Sequence, residues 1–248
     1  MAEKESYLIA GKDVPLKIGI ISDIHGNYYA LLKALEIFKK HHIKKYIFLG
    51  DAIGYIPSLK ALDIIFQNSD KFICIKGNHE DMLLNNKVCR KKNKVYLLDM
   101  IRLRISSEEK EYINSWQDTL TIKFKDKSFL FIHGSPKDPT YGYIYPDTQL
   151  NQYDVKHDVI FMGHSHWAFE RSFKTKRFIN PGSCGLPRDN GQFGSLGIFD
   201  FNSLKYTPIR YDISDSYLKL KNEHPEINES VLKLRHRRKI QISGDEIA

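Results

Sequence analysis

Cysteine is scarce in this 248-residue chain: Cys74, Cys89 and Cys184 are the only three, and no two form a Cys-x-x-Cys pair. That excludes a disulfide-stapled scaffold and a cysteine-based zinc site. Apolar runs are short as well. Nowhere do about 18 apolar residues follow one another, so no membrane-spanning helix is expected. Residues 1–17 mix charges through a weakly apolar stretch, unlike a secretory leader. Internal repeats, low-complexity tracts and linkers are also missing, so a single domain over 1–248 is expected. It would carry an N-terminal extension at 1–15 and closing helices with a basic tail at 212–248. Acidic residues are outnumbered, 30 against 38 Lys and Arg, for a formal net charge of +8. Such a balance permits binding of nucleic acid or another polyanion without requiring it. Much of the excess lies in two clusters, Lys87, Arg90, Lys91, Lys92 and Lys94, and Lys233, Arg235, Arg237, Arg238 and Lys239. What remains, 42% hydrophobic and 27% charged, is ordinary for a soluble globular protein long enough to bury a large core. A reducing, cytoplasmic location is expected, where the Asn228-Glu229-Ser230 sequon carries no weight.

Periodicity supplies the fold class. Residues 16–22 are a nearly continuous apolar run, as in a strand buried on both faces. Ala30, Leu31, Ala34, Leu35 and Phe38 then recur at helical spacing. A strand at 46–49, an amphipathic helix at 59–66 and a strand at 72–75 follow. This β-α-β-α-β order predicts a parallel sheet with right-handed crossovers. The segment 87–117 is charged and helical in composition. Residues 120–124 and 128–133 flank Lys125-Asp126-Lys127 and predict a hairpin. Further strands are predicted at 159–162, 169–173, 177–180, 194–199 and 204–211, and one or two amphipathic helices at 217–239. The expected fold is α/β: two mixed β-sheets packed face to face as a sandwich, flanked by helices in four layers.

The polar residues are placed less evenly. Asp23, His25, Asp51, Asn78, His79, His133, His164 and His166 all stand just after predicted strand ends, each beside glycine. Ligands of open α/β sheets bind beyond the carboxyl ends of the strands, so these motifs should converge on one rim. Carboxylates, imidazoles and an amide suit divalent Mn, Fe, Zn or Ni, whereas Ca prefers oxygen alone. Four His, two Asp and one Asn are too many for one ion. They could fill two adjacent sites if a carboxylate bridges, and two cations roughly 3.5–4 Å apart clamp an in-line displacement at phosphorus. His41, His42, His157, His224 and His236 have no such context. Cys184 has no basic neighbour in sequence and is expected to be a small packed residue.

In this order, Asp23-Ile24-His25, Gly50-Asp51, Gly77-Asn78-His79-Glu80, His133-Gly134 and Gly163-His164-Ser165-His166 resemble the calcineurin-like metallophosphoesterase superfamily. Gly54-Tyr55-Ile56-Pro57, His133-Gly134-Ser135-Pro136 and 180–185 (Asn-Pro-Gly-Ser-Cys-Gly) are similar to its single-domain, phosphodiesterase-type branch. The resemblance implies that Asp23, His25 and His166 hold one metal, that Asn78, His133 and His164 hold a second, and that Asp51 bridges them. It implies Mn²⁺ as the metal, with Fe, Ni or Zn as alternatives, and His79 as the group that protonates the leaving alcohol. The implied reaction is hydrolysis of a small or nucleotide-like phosphate ester, most naturally a diester, by in-line attack of a hydroxide held between the metals. A phosphomonoesterase, a protein phosphatase, a nuclease and a non-catalytic scaffold of the same fold are the alternatives. Two departures stand out. The protein phosphatases continue Gly-Asp with a second Asp followed by Arg-Gly, whereas Gly50-Asp51-Ala52-Ile53-Gly54-Tyr55 lacks both that acid and that Arg, and Ile56 replaces the branch's glycine. A phosphate clamp is therefore sought elsewhere, at Arg188.

Overall fold

Apolar residues alternate along the strands, and the chain buries both resulting faces by laying one sheet on another. The computed structural model describes residues 7–9, 15–238 and 246–247. Along the chain come β1 (Tyr7–Ile9), β2 (Lys17–Ile21), α1 (Tyr28–Lys40), β3 (Tyr46–Phe48), α2 (Lys60–Gln67) and β4 (Phe72–Cys74). Four short helices follow: α3 (Asn78–Asn85), α4 (Arg90–Tyr96), α5 (Leu98–Arg104) and α6 (Ser107–Ser115). Then come β5 (Thr119–Phe124), β6 (Lys127–Ile132), β7 (Val159–Phe161), β8 (Ala168–Phe173), β9 (Lys176–Pro181), β10 (Phe193–Asp200) and β11 (Lys205–Asp212). The chain closes with α7 (Ser216–Glu223), α8 (Glu229–Leu232) and β12 (Glu246–Ile247).

One sheet has the order β12-β11-β10-β2-β3-β4, the other β1-β5-β6-β7-β9-β8. The parallel run β2-β3-β4 is the predicted β-α-β-α-β unit, and antiparallel β10 joins its free edge. Both sheets are mixed, as expected. The predicted hairpin forms, Thr119 pairing Ile132 and Phe124 pairing Lys127. Ile18 and Ile20 of β2 turn inward to Phe129, Phe131, Phe161 and Phe199, which makes the core between the sheets. Ile21, one residue on, faces the other way and packs with Phe38 of α1, Leu62 of α2 and Ile113 of α6. This period of two is why one apolar run serves two cores.

Among the described residues, helices cover the outer face of the β2 sheet. Ile160, Met162, Phe169 and Phe178 on the outer face of the other sheet are covered by Ile144 and Leu150 from the long β6–β7 connection. Its one regular piece is a 3-10 turn at Leu150–Gln152.

Of the one or two helices expected at 217–239, two form, because Pro225 follows α7 closely and Asn228 caps α8 by accepting the Ser230 N–H at 2.9 Å. The sequon is thus a helix cap. Lys239 and most of the 1–15 extension lie outside the described residues. Among the described residues no helix is long and apolar enough to cross a membrane.

Candidate metal centre

Each strand of the central run ends in a loop that carries one polar motif, and the loops brace one another. Asp23 N–H donates to the Gly50 carbonyl at 3.0 Å, and His25 N–H to that of Asp51 at 3.0 Å. Gly163 N–H donates to the His133 carbonyl at 2.8 Å, and Gly185 N–H to that of Asp23 at 3.1 Å. Asp23, His25, Asp51, His164 and His166 all take positive φ, between 52° and 63°. L-residues adopt that region at a cost and keep it where surrounding structure enforces it, often at functional sites. The strain turns each side chain toward the rim.

All eight motif residues come together there, and all are buried. His25 Nε2 lies 3.5 Å from Asp51 Oδ2 and 3.7 Å from Asp23 Oδ1. His166 Nε2 lies 3.3 Å from Asp23 Oδ1. His133 Nε2 is 3.5 Å from Asp51 Oδ2, 3.0 Å from Asn78 Oδ1 and 3.1 Å from His164 Nδ1. Three groups have donor spacing suited to a metal ion: Asp23, His25 and His166; Asp51, His133 and His164; and His25, Asp51 and His79.

Hydrogen bonds behind the rings set the tautomers. Nδ1–H of His25, His133 and His166 donates to the carbonyls of Ile53, Leu49 and Leu186 at 3.0, 2.7 and 2.6 Å. Each ring therefore turns its Nε2 inward, the arrangement that orients metal-binding imidazoles. Asp23 Oδ1 and His164 Nε2 are buried without a hydrogen-bond partner. These donors fit divalent cations and would be costly to bury otherwise. Titration behaviour agrees. Burial alone would raise the Asp51 carboxyl, but His133, His79 and His25 hold it well below the usual carboxylate range. Burial pushes His133 down, yet the Asp51 carboxylate outweighs it and lifts the ring to about 9. Burial drives His164 down to about 2. The cluster attracts positive charge at Asp51 and keeps the His79, His164 and His166 rings neutral.

Several contributors were not legible in the sequence. Glu80 accepts the backbone N–H groups of Asp51, Ala52 and Gly77, each at 2.8 Å, and so ties the Gly50-Asp51 loop to the start of α3. Gly77 leaves no room for a side chain, since a Cβ there would come within 2.1 Å of Asp51 Oδ1. The His79 ring sits between aromatic neighbours, 5.1 Å from Tyr55 and 4.5 Å from Tyr96, with its Nε2 3.9 Å from Asp51 Oδ2. Ring packing thus holds the His79 side chain. Gly54, at φ +90°, lies so close that a Cβ would approach His79 Nδ1 to 1.9 Å. Ile56, the departure from the branch's glycine, is buried in the helix-side core.

Arg188 is half-buried at the same rim. Its N–H donates to the His166 carbonyl at 3.1 Å and its Nη2 to the Tyr55 hydroxyl at 2.9 Å. The next residue, Asp189, forms a fully buried ion pair with Arg210 of β11, which anchors this turn. Cys184 packs as expected, fully buried beneath Tyr211, and burial pushes its thiol up to about 12.

Comparison with known proteins follows this geometry. The model of the calcineurin-like phosphoesterase superfamily domain matches residues 16–203. An uncharacterized protein of Methanocaldococcus jannaschii is 31% identical over 230 residues, 84% of this chain and 94% of that protein. A phosphodiesterase of the same organism is 26% identical over 202 residues, 78% of this chain and 98% of its own length. The crystal structure of a metallophosphoesterase from Sphaerobacter thermophilus superposes with a TM-score of 0.70 at 22% identity, covering 89% of this chain and 98% of that one.

Proposed function

Because the chain belongs to the calcineurin-like phosphoesterase superfamily, whose members are hydrolases of phosphoric ester bonds, we propose that it is a phosphodiesterase working with two divalent metal ions, manganese foremost. Asp23, His25 and His166 are one ligand set, Asn78, His133 and His164 the other, and Asp51 serves both. The observation that carries this reading is the set of inward Nε2 atoms of His25, His133 and His166, each fixed by a carbonyl behind its ring. Such a pair of ions, when bound, lowers the pKa of a shared water and neutralises charge on the attacking and leaving oxygens.

The chain's own groups supply the rest. Asn78 is neutral, so the site keeps net positive charge for a phosphate. Arg188, steadied by Tyr55, offers N–H groups to a non-bridging phosphate oxygen. His79 hands a proton to the leaving alkoxide. In the free protein burial holds its ring down to about 3. A phosphate ester brings negative charge beside Asp51, which raises the ring's affinity for that proton. A protein-phosphatase reading is disfavoured because the stretch Gly50-Asp51-Ala52-Ile53-Gly54-Tyr55 holds neither the second Asp nor the Arg of that group. A scaffold reading is disfavoured because the ligand set is complete.

The test is hydrolysis of bis-p-nitrophenyl phosphate and p-nitrophenyl phosphate after metal stripping and Mn²⁺ re-addition. Faster Mn²⁺-dependent cleavage of the diester, lost in Asp51→Asn, is expected. Equal activity of wild type and Asp51→Asn would overturn the reading.

A further inference from the structure

Three of the eight large apolar side chains exposed among the described residues fall within five positions of one another, at Tyr141, Tyr143 and Tyr145. They belong to the β6–β7 connection and stand at the mouth of the metal centre. Tyr143 lies on the His164 ring, with centroids 3.8 Å apart, and Tyr145 stacks on Tyr143 at 5.5 Å with their planes within 3°. The two tyrosine rings are therefore set beside the buried cluster and both stay open to solvent, Tyr143 44% and Tyr145 37% exposed.

The row is held rigidly. Asp138 accepts the N–H of Tyr141 at 3.0 Å, and Tyr141 hydrogen-bonds through its hydroxyl to Asp81 on α3. Thr148 Oγ1 accepts the Tyr145 N–H at 2.8 Å, and Arg171 donates to the Thr148 carbonyl at 2.6 Å. Stiff aromatic surface in water has a purpose when a flat partner covers it, since ordering has been met before binding. Arg188, bonded to the Tyr55 hydroxyl, lies near enough to Tyr143 and Tyr145 for their charges to act on one another.

We propose that the substrate is a phosphate ester of a nucleoside, its base stacked on the Tyr145 and Tyr143 rings while its phosphate lies beside Arg188. The proposal rests on the phosphoesterase reading for the chemistry and on the tyrosine row for the substrate class. An arginine recognises the phosphate of any ester, so it sets no class by itself. Stacked rings favour a planar heterocycle over an alkyl or sugar group, and base–aromatic stacking is worth roughly tenfold to a hundredfold in affinity.

The experiment is calorimetric titration of Mn²⁺-loaded protein with two phosphonates that cannot be hydrolysed, the methylene isosteres of adenosine 5′-monophosphate and of ribose 5-phosphate. The adenosine compound should bind at least tenfold more tightly. Tyr145→Ala should erase that advantage without weakening the ribose compound, and Tyr145→Phe should keep it. Equal affinity of the two compounds, no binding of either, or an advantage that survives Tyr145→Ala would overturn the proposal. Because this readout needs no turnover, it is separate from the Asp51→Asn test of the reaction itself.

Discussion

His25 Nε2 and His166 Nε2 face each other at 3.1 Å, and both rings have committed their Nδ1–H to backbone carbonyls. Two lone pairs at that distance repel unless a cation or a proton stands beside them. Loading the metal-stripped protein with Mn²⁺ at about a hundred times its dissociation constant should stabilise it by about 2.7 kcal/mol. For a chain of this size that is a rise of roughly 5–10 °C in Tm. Differential scanning calorimetry checks it, and His166→Ala should show a much smaller rise. An unchanged Tm in the wild type would count against a metal site here.

Glu80 should matter more for stability than its silence in the reaction implies. Its carboxylate is the acceptor for three backbone N–H groups. Glu80→Ala strands all three in a buried setting, at a cost of about 3 kcal/mol or more. Urea denaturation should show that loss, and Mn²⁺ affinity should fall with it because the Asp51 loop is released. A variant as stable as wild type would mean that water replaces the carboxylate.

Gly54→Ala tests how closely His79 is positioned. The added methyl meets the His79 ring and sits at a backbone angle that suits glycine. Displacing a reacting group by about 1 Å can cost roughly a hundredfold in rate. A fall of that order in kcat on bis-p-nitrophenyl phosphate, with KM nearly unchanged, is expected. Full activity would remove His79 from the reaction.

Stability should carry a pH signature away from the metal centre. Burial, and then the Glu109 carboxyl of α6 against it, raises Asp63 of α2 to about 6. A raised carboxyl pKa means that the folded state holds the proton more tightly than the unfolded chain. The Asp63 contribution is therefore fully present below its ordinary value of 3.8 and is lost as pH rises through about 6. Asp63→Asn should stabilise the protein at pH 8 and have little effect at pH 4, read as the difference in Tm between variant and wild type. A pH-independent difference would show that the two carboxyls do not share a proton.

The sequence by itself determined the strand-end motifs and with them the neighbourhood of the candidate metal centre, because residues such as Asp23, His25, His164 and His166 stand in glycine-punctuated turns that are local in the chain. It also determined the parallel β2-β3-β4 run and the β5–β6 hairpin, since hydrophobic period and turn residues are local too. Helix α3 was not legible, because its first turn is occupied by Asn78 and His79 and carries little amphipathic pattern. Tertiary structure alone decided that Glu80 ties down the Asp51 loop, since that depends on backbone N–H groups about 30 residues away. Only the fold could show that Tyr55 and Tyr96 hold His79. The tyrosine row is the clearest case. Tyr143 and Tyr145 lie in a connection with neither period, and they acquire meaning only when that connection folds over the sheet edge and sets one ring against His164.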